Sequence, residues 1–220
     1  MFLTLILITI LISFILTLFF EKVFFKYSFF IDNPSKRSIH KNSTPTAGGL
    51  AILLSYFIFI YFLNIFFSID NTMFFILSVS LFPIIIIGLL DDLREVNIVF
   101  RLFIQFFSAS FIIYHFQVSN DIFFTESYTR QSALLVTSLS IILSMWLMNL
   151  YNFMDGIDGY ACLECIFISV SASLLAFYNN PNNLMYAYLA GLGAANLGFL
   201  KRNWYPAKIF MGDTGSLTIG

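Results

Sequence analysis

The sequence predicts an all-α membrane protein, a bundle of helices that crosses a bilayer several times. Of the 220 residues, 59% are hydrophobic and only 10% are charged, whereas about 25% of a soluble domain is charged. Apolar runs of about 18 residues, long enough to cross the hydrocarbon core, recur from end to end. The net charge of -1 offers no basic field for nucleic acid, and two cysteines make no disulfide framework.

The apolar runs predict seven complete spans and the start of an eighth. The first run is a retained span rather than a signal peptide, because no basic residue precedes it and no small-residue cleavage site follows it. The eighth run begins at Leu217. The seven predicted spans lie near residues 2–20, 49–67, 73–90, 99–116, 132–150, 161–178 and 184–200.

The basic residues predict the side of the membrane that each loop faces. Counted alternately, the loops at 21–48, 91–98, 151–160 and 201–216 share one side. Ten of the eleven Lys and Arg residues lie on or beside that side, and only Arg130 lies on the other. The positive-inside rule therefore makes the first side cytoplasmic and puts the N-terminus outside.

Aspartates collect at the cytoplasmic ends of the predicted spans. One such carboxylate alone would suit an interfacial cap equally well, but charge beside hydrocarbon is costly and usually functional. A transporter with an ion site at the bilayer midplane would instead carry its carboxylates within the spans. The clustered residues are Asp91, Asp92, Asp155, Asp158 and Asp213.

The first two cytoplasmic loops combine basic side chains with an aspartate pair. The first reads DNPSKRSIHKNSTPTAGG, and its basic strip, which includes Lys41, either binds phosphates or anchors the loop at the membrane surface. The second reads GLLDDLREVNIVFRLFIQ. At a helix end, adjacent Asp91 and Asp92 can both reach one small site, as a metal–phosphate complex or a general base requires. Arg94 and Arg101 supply the opposite charge nearby.

The third loop, NLYNFMDGIDGYA, carries an oxygen-bearing side chain at every third position. A helix would put these side chains on one face, but two glycines favour a turn or a broken helix that lines a polar cavity. Oxygen ligands at this density, without a cluster of His or Cys, indicate a hard cation such as Mg²⁺. The four side chains are those of Asn149, Asn152, Asp155 and Asp158.

The fourth loop, KRNWYPAKIFMGDTGSLTIG, presents Asp213 in a predicted Gly-Asp-Thr-Gly turn. The tetrapeptide that starts at Asp213 also spells the signature of aspartic proteases. Those enzymes need two such aspartates on paired β-lobes, whereas this chain has one copy between predicted membrane helices. An intramembrane aspartyl protease would have glycine where Phe210 stands. The sequence therefore disfavours a protease.

The four loops, in this order and on one face, resemble those of the polyprenyl-phosphate N-acetylhexosamine-1-phosphate transferases, from about Asp32 to Gly220. The resemblance implies transfer of a sugar-1-phosphate from a UDP-N-acetylhexosamine to a polyprenyl phosphate, with release of UMP. It implies a multi-pass protein of the bacterial inner membrane that starts an O-antigen, teichoic acid or related glycan. The third and fourth loops look more like the O-antigen-initiating and N-acetylglucosamine branch than the peptidoglycan branch. The implied partners are the two substrates and the bilayer, with a homodimer as a further option.

The resemblance also implies residue roles on the metal and the acceptor side. Asn152 and Asp213 resemble the ligands of Mg²⁺ or Mn²⁺. Asp91 and Asp92 resemble the pair that handles the lipid phosphate, one of them as its base. Asp155 matches a residue needed for catalysis.

On the donor side, Asp158 and Phe210 match contacts to uracil, through a hydrogen bond and through stacking respectively. Lys41 and Thr46 align with nucleotide contacts of the first loop. Arg101 takes the place of a basic residue that binds phosphate.

Family members continue through further helices and a cytoplasmic loop with a His-x-His-His motif. We therefore expect residues 1–220 to form a single membrane transferase domain that lacks this C-terminal part. Neither His40 nor His115 lies in a context that replaces the motif. An inactive membrane scaffold derived from the family consequently stays open as an alternative, beside the less favoured transporter.

Overall fold

The protein is described by a computed structural model that covers residues 1–32, 43–69, 71–120 and 130–220, without the side chains of 117–120 and 130. Within these residues the structure is a bundle of helices, as the sequence predicts, with one short strand pair. The strands β1 (Ile31–Asp32) and β2 (Thr44–Pro45) are antiparallel. The helices are α1 (Phe2–Tyr27), α2 (Gly49–Phe67), α3 (Thr72–Leu93), α4 (Ile98–Asn120), α5 (Arg130–Met154), α6 (Tyr160–Asn179), α7 (Met185–Asn203) and α8 (Gly212–Ile219).

The predicted spans correspond one by one to helices α1 to α7. Among the described residues, the six helices α1 to α6 are long and apolar enough to cross a membrane. Helix α7 falls outside this group because it is rich in glycine, alanine and polar residues. It packs against α1, α2 and α6, and a helix surrounded by other helices needs no lipophilic outer face. The polytopic bundle is confirmed, whereas the count of seven spans and the outside N-terminus stay predictions.

Small residues let α7 approach its neighbours closely. A Cβ atom at Gly191 would overlap the ring of Phe59 in α2, and one at Gly198 would overlap the backbone oxygen of Ile10 in α1. Near Gly198, the hydroxyl of Ser13 donates to the backbone oxygen of Ala195 at 2.6 Å. Close backbone approach through small residues is the usual way in which membrane helices associate.

The short helix α8 lies between α2 and α3 and also contacts α5. Added Cβ atoms show how tight this insertion is. At Gly49 of α2 a Cβ would overlap the backbone of Gly215, and at Gly88 of α3 it would lie 2.6 Å from the Cα of Thr214. Helices α2 and α3 are neighbours in sequence but make few contacts with each other, because α8 fills the space between them.

The predicted turn at residues 212–215 is wrong, since these residues begin helix α8. The eighth helix accordingly starts at Gly212 rather than at Leu217. Gly212 has a φ of +73°, which turns the chain into the helix at little cost only for glycine. The turn predicted after α5 is confirmed, because α5 ends at Met154 and α6 begins at Tyr160.

Backbone hydrogen bonds fasten the first of the four motif-bearing loops to the fourth. The Phe210 amide donates to the Pro45 oxygen at 2.8 Å, and the Gly48 amide donates to the Phe210 oxygen at 2.9 Å. The Gly49 amide then donates to the Met211 oxygen at 2.8 Å. Two segments that are distant in sequence thus meet at one end of the bundle.

We expect Gly88→Ala to destabilise the protein by about 1–3 kcal/mol, the usual cost of overpacking. The new methyl group would meet backbone atoms of Thr214 and Asp213, which cannot swing aside as a side chain can. Thermal unfolding in detergent measures the effect. The matched control is Gly156→Ala, whose nearest atom lies 3.7 Å away. A Gly88→Ala protein that melts at or above the wild-type temperature would contradict the tight insertion of α8.

We also expect cysteine labelling in intact cells to report the predicted orientation. Glu95→Cys and Ile157→Cys place thiols at exposed positions on the predicted cytoplasmic side, and Asn182→Cys places one on the other side. The native Cys162 and Cys165 are buried, so they give little background. An impermeant thiol reagent should label only Asn182→Cys before permeabilisation. Labelling of Glu95→Cys or Ile157→Cys in intact cells would reverse the topology.

Candidate active site

A cavity of about 390 Å³ opens where the ends of α3, α5 and α7 meet the start of α8. Aspartates dominate its wall, and no Lys or Arg is among the described residues that line it. Seven of the ten residues predicted from the sequence line the cavity, and Asp32 is a sixth aspartate there. The predicted residues in the wall are Thr46, Asp91, Asp92, Asp155, Asp158, Phe210 and Asp213.

Asp92 caps the N-terminus of α8 from another helix. Its Oδ1 accepts a hydrogen bond from the Asp213 amide at 2.9 Å. Its Oδ2 accepts from the Thr214 amide at 3.0 Å and from the Thr214 hydroxyl at 2.6 Å. The Thr46 hydroxyl donates to Oδ1 at 3.3 Å. Because the N-cap residue Met211 has no side-chain acceptor, Asp92 supplies what a capping Asp or Ser normally would.

Asp155 lies in the turn after α5 and faces the same helix start. Burial raises the pKa of Asp155 well above its usual range, and the neighbouring charges of Asp92 and Asp213 raise it further, whereas the nearby Gly212 amide lowers it. Asp92 from α3 thus accepts from two of the first amides of α8, and Asp155 from the turn after α5 lies beside the third.

Asp213 projects from the first turn of α8 and is contacted from two sides. The side-chain amide of Asn152 donates to Oδ1 at 2.7 Å, and the Arg101 guanidinium lies 3.5 Å from Oδ2. Burial raises the pKa of Asp213 to about 7, and the nearby carboxyl group of Asp91 adds to the rise. Two carboxyl groups this close need a proton or a cation between them.

Asp91 has different partners from its neighbour Asp92. Its Oδ2 accepts from the Arg101 guanidinium at 2.8 Å, and its Oδ1 accepts from the Val96 amide at 2.7 Å. Arg101 therefore bridges Asp91 and Asp213, although it is not part of the cavity wall. Arg94, expected to add positive charge, is exposed.

Asp158 and Asn203 join the third motif-bearing loop to the fourth. Asp158 Oδ2 accepts from the Ala207 amide at 2.9 Å. The Asn203 side chain accepts from the Gly159 amide at 3.1 Å and donates to the Ile209 oxygen at 3.0 Å. These hydrogen bonds fix the two loops against each other.

Two residues that line the cavity, Asn203 and Asp32, are not among those predicted from the sequence. The sequence singles out Asn203 only weakly, as a polar residue near the end of a predicted span and within the fourth loop. Nothing in the first-loop sequence singles out Asp32, and the pairing of β1 with β2 brings it to the cavity. Lys41 lies outside the described residues.

The donor set suits a divalent cation that also binds substrate. Among the described residues, no three His, Cys, Asp or Glu side chains converge into a complete metal site. Mg²⁺ commonly takes only one or two carboxylates and completes its shell with water and phosphate oxygens. Asp213 and the side-chain oxygen of Asn152 match that pattern, because the amide that now donates to Asp213 carries an acceptor at its other end.

Known proteins match this chain over most of its length, including the segments that line the cavity. The family model described as "Glycosyl transferase family 4" matches residues 73–220. The phospho-N-acetylmuramoyl-pentapeptide-transferase of Prochlorococcus marinus (strain MIT 9312) is 30% identical over 196 residues, which cover 83% of this chain and 54% of that protein. A Bacillus subtilis (strain 168) protein named as a probable undecaprenyl-phosphate N-acetylglucosaminyl 1-phosphate transferase is 30% identical over 192 residues, which cover 86% and 52% respectively.

The chain spans about half the length of these curated relatives. The matched region contains both helices of the aspartate cluster, from Asp91 and Asp92 in α3 to Asp213 in α8, and the turn between α5 and α6. Since the family model covers well over half of the chain, the chain belongs to glycosyl transferase family 4.

Proposed function

We propose that the protein transfers N-acetylhexosamine-1-phosphate from a UDP-sugar to a polyprenyl phosphate at the cytoplasmic face of the membrane, releasing UMP. The observation that carries this proposal is the single cavity walled by six aspartates at the ends of apolar helices. One substrate is soluble and the other is a lipid, so a site at the membrane surface can receive both. The names of the two relatives support the same reaction class.

The acidic wall makes sense only with a cation. Both substrates are anionic, and the ionised carboxylates of the wall would repel them. Mg²⁺ or Mn²⁺ held by Asp213 and Asn152 would offset this charge and stabilise the diphosphate during phosphoryl transfer. Among the described residues, Arg101 is the one basic side chain that pairs with aspartates of the wall, and the excess of negative charge supports this assignment.

The acceptor side of the reaction falls to Asp91 and Arg101. An oxygen of the lipid phosphate forms a bond to the sugar-bearing phosphorus, and the bond from that phosphorus to the oxygen of UMP breaks. Arg101 orients the incoming phosphate, and Asp91 accepts its proton where the monoester arrives protonated. The 2.8 Å contact between them keeps both groups at one edge of the site, as positioning for in-line transfer requires.

The structure supports a division between Asp91 and Asp92 that the sequence does not suggest. Asp92 already accepts four hydrogen bonds from α8 and Thr46. We therefore assign Asp92 to holding α8 and leave proton transfer to Asp91. Asp155 assists in the same way, through the Gly212 amide.

We assign the donor nucleotide to Asp158 and Phe210. Both line the cavity, which suits a hydrogen bond to uracil and stacking on its ring. Thr46 also lines the cavity, and the resemblance of the first loop assigns nucleotide contacts to Thr46 and Lys41. N-acetylglucosamine as the sugar, the bacterial inner membrane and a homodimer rest on the resemblance of the loops alone.

The two rival functions make different demands on the site. A transporter would use carboxylates at mid-span, whereas Asp91 and Asp92 lie in the last turn of α3 and Asp155 follows α5. An inactive scaffold would tolerate loss of the charged cluster. Release of UMP from UDP-N-acetylglucosamine in the presence of undecaprenyl phosphate separates the enzyme from both alternatives.

We expect turnover to require a divalent cation. Excess EDTA should abolish UMP release, and added Mg²⁺ or Mn²⁺ should restore it, because the acidic wall otherwise repels the diphosphate. Asp213→Asn should raise the Mg²⁺ concentration needed for half-maximal turnover. Full activity in excess EDTA would contradict the proposed metal role.

Asparagine variants should distinguish the roles of Asp91, Asp92 and Asp213. We expect Asp91→Asn to lower turnover by about 10²–10⁴-fold, the range for a lost general base, while Mn²⁺ and UDP-sugar binding stay intact. Asp92→Asn puts an NH₂ group against the amides of α8, so it should weaken Mn²⁺ binding together with Asp213→Asn. Binding and turnover are measured on the same purified samples. Equal loss of UDP-sugar binding in all three variants would show that Asp91 belongs to the nucleotide site instead.

A further inference from the structure

A reciprocal pair of side-chain amides joins α4 to α5 within the membrane-spanning part of the bundle. The Asn149 amide donates to the Gln105 oxygen at 2.8 Å, and the Gln105 amide lies 3.5 Å from the Asn149 oxygen. Gln105 is completely buried. Asn149 also donates to the Met145 oxygen of its own helix at 2.7 Å. Neither residue lines the active-site cavity.

The pair lies one helical turn from the two residues that contact Asp213. Gln105 follows Arg101 by four positions on α4, and Asn149 precedes Asn152 by three positions on α5. Residues at these spacings share a helix face. Arg101 and Asn152 contact the two carboxylate oxygens of Asp213, one each. The amide pair therefore fixes the two helices next to the point where both must reach Asp213.

Helix α4 packs against α5, and the amide pair adds a directional contact between them. Helix α5 is the least buried of the six apolar helices, so packing alone constrains its rotation weakly. In hydrocarbon, a polar side chain has no water to pair with, and a hydrogen bond between helices selects one rotation and one register. A sliding or rotated α5 would carry Asn152 away from Asp213.

We propose that Gln105 and Asn149 are positioning residues that hold Arg101 and Asn152 on either side of Asp213 and so set the affinity of the cation site. The inference rests on the proposed function only in assigning the cation to Asp213 and Asn152. It adds two residues that touch neither substrate nor metal. Residues that orient metal ligands typically change metal affinity by about 10–100-fold when they are replaced.

The test measures Mn²⁺ binding by electron paramagnetic resonance on the purified protein in detergent. Gln105→Met removes the hydrogen bond with little change in shape, and Asn149→Leu removes it from the other side. Each should weaken Mn²⁺ binding by about tenfold or more, and the double variant should be no worse than the single ones. The exchanged pair, Gln105→Asn with Asn149→Gln, keeps both partners and should bind close to wild type.

The matched control is Tyr188→Phe. It removes another buried hydrogen bond between helices, from the Tyr188 hydroxyl of α7 to Asn64 of α2 at 3.0 Å. This bond lies near the start of α7, whereas Asn203 at the end of α7 lines the cavity. It should lower the melting temperature about as much as Gln105→Met and leave Mn²⁺ binding unchanged. If Asn149→Leu does not fold, Gln105→Met and the control decide the matter.

The outcomes separate this inference from the proposed function. Wild-type Mn²⁺ affinity in Gln105→Met, with binding lost in Asp213→Asn, overturns the positioning role and leaves the metal site standing. If Gln105→Met weakens Mn²⁺ binding no more than Tyr188→Phe does, the positioning role is overturned as well, because the effect would then be general destabilisation. Wild-type Mn²⁺ affinity in Asp213→Asn overturns the metal site and, with it, this inference.

Discussion

The start of helix α8 is held by negative charge that other elements supply, and the site depends on this interaction. The amides of Asp213 and Thr214 donate to the Asp92 carboxylate, and the Gly212 amide lies beside the carboxyl group of Asp155. A helix N-terminus favours negative charge beside it, and the residue before α8 has no acceptor of its own. The second residue of the helix is thereby fixed with its carboxylate in the cavity. The four motif-bearing loops meet because each contributes to, or is fastened to, this helix start.

The same carboxylates that build the site also load it with charge. Packing α8 between Gly49 and Gly88 brings Asp213 close to the end of α3, so Asp91, Asp92 and Asp213 share a small volume. Hydrogen bonds from backbone amides offset part of the repulsion, and Arg101 offsets more. The remainder leaves the cavity able to attract a small multivalent cation. Structural capping and the proposed metal binding therefore have one physical origin in this protein.

The sequence predicts the helices and the acidic cluster because both leave local signals. Apolar runs give α1 to α6 directly, and charge at span ends singles out Asp91, Asp155 and Asp213. It does not predict that residues 212–215 begin a helix, since the cap of that helix comes from Asp92, 121 positions earlier. The roles of Asn203 and Gln105 are not predicted from the sequence for the same reason. A single amide in a polar loop or an apolar run acquires meaning only from its partner on another helix.

The place of α8 in the chain has a consequence for biosynthesis. Helices α2 and α3 are made early, but the slot between their glycine faces is filled only once α8 follows, after α4 to α7. Until then Asp92 stands in the last turn of α3 without the α8 amides that later surround it. Contacts this distant in sequence form late in folding, and partly assembled states expose surfaces that chaperones and proteases recognise. A nascent chain that has reached α7 but not Gly212 therefore leaves the carboxylate of Asp92 without its three hydrogen bonds from α8.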